Sequence, residues 1–108
     1  MENIIKNYFK AFSNKDIRCL EALFSNEITL QDWEIFANGK KDVLLANKNI
    51  FDSFDSISAD LKELYLNDLV AICIVEITIN NNDEILKVVD IIKFNNDNKI
   101  IEISAFKQ

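Results

Sequence analysis

The run Val88-Val89-Asp90-Ile91-Ile92-Lys93-Phe94 has the composition of a β-strand with one acid near its middle. Side chains alternate along a strand, so Asp90 shares its face with apolar neighbours only. These neighbours are Val88, Ile92 and Phe94. An unpaired buried carboxylate is costly, so the group is paired, protonated or beside a cavity. The pattern leaves three interpretations open: a strand-edge acid that reaches solvent, a core acid satisfied by one hydroxyl, and a cavity-lining acid.

This run belongs to a series of alternating segments that fills the second half of the chain. The segments are 57–66, 70–79, 85–94 and 100–106. The links between them are short and rich in Asn, which tolerates turn backbone. Links of this length join antiparallel strands and are too short for parallel crossovers. The sequence therefore predicts a four-stranded antiparallel meander.

The first half of the chain carries three helical patterns. Apolar residues recur at three- and four-residue steps over 2–13, and Asp16 can cap a second short helix that we expect to close at Ser25-Asn26. Its predicted apolar side includes Phe24. A short strand then places Ile28, Leu30 and Asp32 on one face.

Asn38-Gly39 breaks the chain before the third helix. The predicted apolar side of that helix holds Val43, Leu44, Asn47, Ile50, Phe51 and Phe54. Helices followed by a meander predict an α+β fold, with the helices packed on one face of a curved sheet.

Length and composition narrow the classes of protein to consider. The chain has 108 residues, 49% of them hydrophobic and 28% charged, which predicts a single domain over 1–108. No long apolar run or leader is apparent, so we expect a soluble, cytoplasmic protein. The net charge of −6 argues against a nucleic-acid partner and against an anionic membrane.

The two cysteines and the lack of histidine bear on metals and cofactors. Cys19 and Cys73 have no CxxC spacing, and the sequence contains no His. Free buried thiols in a reducing compartment are therefore favoured over a disulfide or a metal site. We expect no cofactor.

The central strands are apolar on both faces, which bears on assembly. The stretch 71–75 and the pairs Val88-Val89 and Ile91-Ile92 lack the alternation of a sheet with one wet face. Three helices cover one face only, and a large exposed apolar patch is unusual in a monomer. We therefore expect a homodimer through the outer face of the sheet, with Val89 and Ile91 in the contact.

Two parts of the chain resemble a known superfamily. Residues 8–16 (YFKAFSNKD) and 20–27 (LEALFSNE) are similar to the opening helix pair of nuclear transport factor 2-like proteins, and 89–94 (VDIIKF) with 98–103 (NKIIEI) resemble their final hairpin. This superfamily includes ketosteroid isomerases and SnoaL-like polyketide cyclases. The resemblance implies a cystatin-like cone: three helices on a strongly curved mixed sheet with an antiparallel meander, enclosing a pocket.

The ketosteroid isomerase branch places a Tyr on the first helix, a general-base Asp at the end of the first strand and a second Asp on the penultimate strand. Tyr8, Asp32 and Asp90 match those positions. The resemblance implies a proton transfer next to a carbonyl, with Asp32 as base and with Tyr8 and neutral Asp90 stabilising the enolate oxygen. Trp33 stands where the isomerases carry Pro, and the insert 33–39 should reshape the pocket mouth, so a flat steroid is not implied.

Each site residue also has a structural interpretation. Tyr8 can be a core aromatic, Asp32 an Asx-turn acid, and Trp33 a packing residue; Glu76 can lie on the surface or in the cavity, and Cys73 is most simply core. The alternative function is a non-catalytic ligand-binding or accessory module. In either case we expect a small apolar or carbonyl-bearing ligand, with a pocket also lined by Trp33, Val88, Ile92 and Phe54.

Overall fold

The computed structural model describes residues 1–81 and 83–108, and in them it places helices first and a sheet afterwards. The helices are α1 (Glu2–Ser13), α2 (Ile17–Leu23) and α3 (Lys40–Ser53). The strands are β1 (Phe24–Gln31), β2 (Phe36–Asn38), β3 (Ile57–Asn67), β4 (Val70–Ile79), β5 (Glu84–Phe94) and β6 (Ile100–Lys107). Asp16 caps α2 as expected, because its Oδ1 accepts the N–H of Cys19 at 3.0 Å.

The strands form one mixed sheet in the order β2-β1-β6-β5-β4-β3. Strands β3 to β6 make the predicted antiparallel meander, and β1 joins β6 in parallel. Register shifts interrupt β1, the β3–β4 pair and the β5–β6 pair. Irregularities of this kind bend strands and increase their twist. The predicted α+β architecture is confirmed, and the sheet stays open, with β2 and β3 at its edges.

The inner face of the sheet and the helices enclose the hydrophobic core. Strand β5 alternates as predicted: Val88, Asp90 and Ile92 are buried on the inner face, while Val89 and Ile91 are half-buried on the outer one. The largest fully buried side chains come from helices and strands alike: Phe24, Ile5, Leu20, Ile28, Ile92, Ile100 and Ile103. No helix in the described ranges is long and apolar enough to cross a bilayer.

Two boundaries differ from the prediction. Helix α2 ends at Leu23, and Phe24 has extended backbone and begins β1, so Ser25-Asn26 lies in the strand. The insert 33–39 contains β2, which pairs antiparallel with β1. Both differences arise from pairing between strands, since Phe24 lies opposite Ile100 in β6. Local periodicity carries no information about such a distant partner.

The turns use asparagine as predicted. Asn80, Asn81 and Asn98 have positive φ, a backbone region in which Asn is enriched. Asn82, in the same predicted turn, lies outside the described residues. Gly39 precedes α3 with φ 91° and ψ 151°, a conformation that is open essentially to glycine alone.

A serine joins α1 to the edge strand β3. The Ser13 hydroxyl accepts a hydrogen bond from the Ala59 N–H at 2.8 Å and lies 3.4 Å from the Ala59 carbonyl oxygen. Ala59 pairs with Ile77 on one side only, so its other edge would otherwise face solvent or the helix without a partner. The contact anchors the end of α1 on the sheet.

Replacing this serine should destabilise the fold. We expect Ser13→Ala to lower the free energy of unfolding by about 1 kcal/mol, because it removes a part-buried hydrogen bond and leaves the Ala59 N–H unpaired. Ser53→Ala is the control, since its hydroxyl binds Asn49 within an exposed helix end. Its effect should stay within about 0.5 kcal/mol. Equal losses in urea unfolding of the two variants would contradict this assignment.

Candidate functional site

A cavity of about 280 Å³ lies between the helices and the inner face of the sheet. This is just below the usual range of small-molecule sites, roughly 300–1,000 Å³. Its walls are mainly apolar and include Phe12, Leu30, Ile50, Ile57, Ile77 and Ile103. The cavity brings together the three residues predicted to act, because Tyr8, Asp32 and Asp90 all line it.

Strand β5 forms one wall through every second residue. Glu84, Leu86, Val88 and Asp90 line the cavity, which stops before Ile92. Ile92 is fully buried and does not belong to the cavity lining. This cavity gives no support to the predicted ligand contact of Ile92, which stays a prediction.

The other predicted lining residues do reach the cavity. Phe54, which follows α3, lines it together with Val88. Trp33 lines it as well. Strand alternation would have put Trp33 on the side opposite to Asp32, but β1 ends at Gln31, so the alternation does not extend to Trp33. These positions show contact with the cavity, and a role in binding stays a prediction.

Asp90 is a buried acid in an internal strand. It is 7% exposed, and its strand neighbours are Cys73 in β4 and Ala105 in β6. Burial, and secondly the charge of Asp32, raises the pKa of Asp90 from 3.8 to about 7. The strand-edge interpretation is wrong, because β5 lies between two strands and the side chain is shielded from bulk solvent. Near neutral pH a substantial fraction of the molecules therefore carries a protonated Asp90, whose O–H can donate a hydrogen bond.

Tyr8 lies on the inner side of α1 among aromatic rings. It is 4% exposed and meets Phe9 edge to face, with 4.9 Å between the ring centroids. Burial, followed by the charges of Asp90 and Cys73, raises the pKa of the Tyr8 phenol well above its usual range. Tyr8 is therefore both a core aromatic and a neutral hydroxyl at the cavity wall.

Asp32 lies in the turn between β1 and β2, one residue beyond the strand. Its Oδ1 accepts the backbone N–H groups of Glu34 at 2.7 Å and Ile35 at 2.6 Å. Its own N–H donates to the Ile35 carbonyl at 2.9 Å. This is the Asx-turn arrangement that was one of the two interpretations, yet the same residue lines the cavity. One oxygen holds the turn, and within the described residues Oδ2 is left without a hydrogen-bond partner.

The mouth of the cavity carries charged groups and the single tryptophan. Trp33 is 40% exposed, and the Lys107 ammonium lies 5.2 Å from the centroid of its ring, within cation–π range. Glu34, Glu84 and Asp32 line the same opening with Lys107. Three carboxylates against one ammonium make the entrance unfavourable for an anion.

Asn47 is the site residue that the sequence analysis did not single out. It lies on the inner side of α3, is 2% exposed and lines the cavity. Among the described residues its Oδ1 is buried without a hydrogen-bond partner. An amide inside an apolar helix stripe was visible in the sequence, but periodicity alone does not separate a cavity wall from solid core.

Glu76 and Cys73 do not line the cavity. Glu76 is half-buried on the outer face, opposite Asp60 and Lys87, which agrees with the surface interpretation. Cys73 is a fully buried free thiol, and burial followed by the charge of Asp90 raises its pKa to about 12. Cys19 is a free, half-buried thiol. In the part of the chain that the structure describes, no cluster of three His, Cys, Asp or Glu side chains could hold a metal ion.

Solved structures share this arrangement of helices and sheet. A candidate isomerase of the SnoaL-like family from Agrobacterium tumefaciens superposes with a TM-score of 0.85 at 11% identity, over 98% of this chain and 95% of that one. A candidate polyketide cyclase from Sinorhizobium meliloti gives 0.85 at 16% identity, over 95% and 93%. The chain has the nuclear transport factor 2-like fold. A candidate ketosteroid isomerase from Kribbella flavida likewise gives 0.85 at 17% identity, over 98% and 76%.

The nuclear transport factor 2-like fold is what these comparisons establish. Sequence identities this low establish a shared architecture only, because proteins of one fold can have many different functions. No protein-family model matches the chain, and no curated protein does. The resemblance seen in residues 8–16 and 89–94 is thus confirmed at the level of the fold.

The raised pKa of Asp90 predicts how stability depends on pH. Between 3.8 and about 7 the unfolded chain has ionised Asp90 while the folded chain keeps its proton. The contribution of Asp90 to stability is therefore full below this window, falls as pH rises through it, and is level above it. The slope is at most about 1.4 kcal/mol per pH unit.

Asp90→Asn should remove this part of the pH dependence, because the amide does not titrate. Urea unfolding across the window, compared with the native chain, measures the difference. Asp97→Asn, in the exposed turn before β6, should keep the native slope. Parallel curves for the native chain and Asp90→Asn would contradict the assigned pKa.

Proposed function

We propose that this protein binds a small carbonyl compound and moves a proton beside the carbonyl, as a cofactor-independent isomerase or cyclase. The observation that carries the proposal is the joint placement of Tyr8, Asp90 and Asp32 on one mainly apolar cavity. Two of these groups are hydroxyl donors when Asp90 is protonated, and the third is a carboxylate with one oxygen unused by the turn. The fold shared with candidate isomerases and cyclases supports the same class.

In the proposed reaction the substrate carbonyl oxygen accepts hydrogen bonds from the Tyr8 and Asp90 O–H groups. Asp32 Oδ2 takes a proton from the carbon next to the carbonyl, and the C–H electron pair moves into the enolate. The two donors stabilise the oxyanion in a cavity of low polarity, where such hydrogen bonds are most effective. Return of the proton from Asp32 to a different carbon completes an isomerisation.

The turn that holds Asp32 has a catalytic consequence under this proposal. Two backbone N–H groups bound to Oδ1 restrain the Asp32 carboxylate. The side chain is therefore already oriented before substrate binds, which lowers the entropy cost of reaching the reactive geometry. The same two hydrogen bonds also support the second candidate function, because an acid that stabilises a turn has a structural role even without catalysis. In that case the protein is a non-catalytic binding module, and the cavity only selects a ligand.

The cavity also limits the class of ligand. Its volume and apolar walls suit a small, mainly apolar molecule, and the acidic mouth disfavours carboxylates. Trp33 and the β1–β2 hairpin form the opening where the resemblance led us to expect a changed mouth. We therefore propose a neutral or cationic carbonyl compound smaller than a steroid.

Removing the base should abolish proton exchange. We expect Asp32→Asn to slow solvent-deuterium incorporation into a bound enolisable ketone by at least about 100-fold, the usual contribution of a general base. The turn should survive, because the Asn oxygen can accept the same two N–H groups. Proton NMR of a panel of small neutral ketones measures the exchange.

The control for this experiment is Asp97→Asn, which changes an exposed carboxylate outside the cavity. The exchange rate of the native chain should also fall as pH rises above about 7, because Asp90 then loses its donor proton. Exchange that persists in Asp32→Asn would remove the base assignment. Ketones that bind without exchange would favour the binding module.

We also propose that a second copy covers the outer face of the sheet. Apolar side chains continue across that face from strand to strand: Tyr65 opposite Ile72, Ile72 opposite Ile91, Ile74 opposite Val89, and Val89 opposite Phe106. Tyr65 and Phe106 are each 56% exposed and Ile72 is 39% exposed. A two-fold axis would bury this surface against itself.

Sedimentation equilibrium at micromolar concentration tests the assembly. We expect the native chain at twice its mass of 12.5 kDa and Ile91→Lys as a monomer, because the new ammonium would lie in an apolar contact. Leu45→Lys is the control, since Leu45 is exposed on α3 away from the sheet and should leave the dimer intact. A native monomer would refute this arrangement.

A further inference from the structure

Two residues that are distant in sequence meet at the mouth of the cavity. Trp33 comes from the turn between β1 and β2, and Lys107 is the last residue of β6. The Lys107 ammonium lies 5.2 Å from the centroid of the Trp33 ring. Both side chains line the cavity and both are exposed, so a molecule that enters from solvent can contact either of them.

Strand pairing puts Lys107 on the inner face of the sheet. Lys107 lies opposite Val88, and Ala105 lies opposite Asp90. Residues opposite each other in a sheet share a face, so both β6 side chains belong to the face that lines the cavity. Among the described residues no ion pair involves Lys107. The contact with the Trp33 ring is therefore the interaction that the ammonium makes at the mouth.

This contact does not hold the lysine side chain firmly. An exposed cation–π contact is weak, and ordering a lysine side chain costs conformational entropy of similar size. The ammonium of a lysine is also strongly hydrated, so it is stable in water as well. The Lys107 ammonium therefore exchanges readily between the ring and solvent, and another cation can take its position.

A quaternary ammonium group fits this position better than a lysine does. Its methyl groups bind water weakly, so it loses less hydration when it contacts a ring, and aromatic side chains are a common way for proteins to recognise such groups. The carboxylates of Asp32, Glu34 and Glu84 line the same opening and favour a cation there by their charge. The Lys107 ammonium thus marks a position at which a cation is stable.

We propose that the mouth of the cavity binds an alkylammonium group of the ligand on the Trp33 ring, and that this group displaces Lys107. Lys107 then acts as an internal competitor that the ligand has to replace. The proposal rests on the proposed function for the choice of this cavity as the ligand site, and it narrows the ligand class named there to compounds with an alkylammonium group. It requires no proton transfer.

Choline and 3,3-dimethylbutan-1-ol are matched probes, because they have the same shape and differ in charge. Trp33 is the single tryptophan of the chain, so its indole N–H gives one NMR signal that reports on the mouth. The native chain should bind choline at least about threefold more tightly than the neutral alcohol. Lys107→Gln should bind choline at least about threefold more tightly than the native chain does, since the competing ammonium is gone.

Lys48→Gln is the matched control for charge. It removes one ammonium from the exposed side of α3, outside the cavity, and should keep the native choline affinity. Trp33→Leu should lose the preference for choline, and Trp33→Phe should keep part of it, because indole is the stronger cation–π partner. The backbone N–H signal of Ala105, a residue of the cavity wall, follows binding in both Trp33 variants.

Equal affinities for choline and the alcohol in the native chain and in Lys107→Gln would overturn the proposal. So would a preference for choline that persists in Trp33→Leu or is undiminished in Trp33→Phe. A lower choline affinity in Lys107→Gln would also overturn it, because the lysine would then support binding. An equal gain in Lys48→Gln would do the same, since it would show a general effect of charge.

The absence of a carbonyl group in choline keeps the two proposals distinguishable. A Trp33-dependent preference for choline, without deuterium exchange into any ketone, would refute the proton transfer and keep the ammonium contact. Exchange that depends on Asp32, without a preference for choline, would do the reverse.

Discussion

A carboxyl group on the inner face of an internal strand constrains everything around it. Asp90 is largely shielded from bulk solvent, because β4 and β6 flank it and the helices cover its face. Its ionised form is therefore disfavoured, and the chain keeps space beside it instead of core packing. The raised pKa of Asp90, and with it a protonated donor on the cavity wall, follows from this burial.

The parallel pairing of β1 with β6 supplies the second part of the site. Leu30 lies opposite Ile103 and Gln31 opposite Ser104, which brings the end of β1 beside the last strand of the meander. The turn that follows places Asp32 at the cavity, close enough for its charge to raise the pKa of Asp90. Two carboxyls that differ in burial and in hydrogen bonding are thus held in one cavity.

The inner and outer sides of the sheet differ in what their side chains contact. On the inner side, Asp90 of the sheet and Tyr8 and Asn47 of the helices line a mainly apolar cavity. On the outer face, apolar side chains such as Ile72 and Phe106 remain exposed. The first pattern is typical of a ligand site and the second of a protein contact, which is the basis of the two proposals made above.

Local patterns in the sequence determined the elements, and only the tertiary structure decided how their ends meet. Alternation and helical spacing are local properties, so they predicted the three helices, the meander and the inward side of Asp90. The parallel β1–β6 pair, the short strand β2 and the β1 start at Phe24 depend on partners distant in sequence. For the same reason the sequence placed Asp90, Tyr8 and Asp32 in one site only through resemblance. It also gave Ile92 a cavity contact that the structure does not show and did not place Asn47 at the cavity, because the volume of a cavity exists only once the elements pack together.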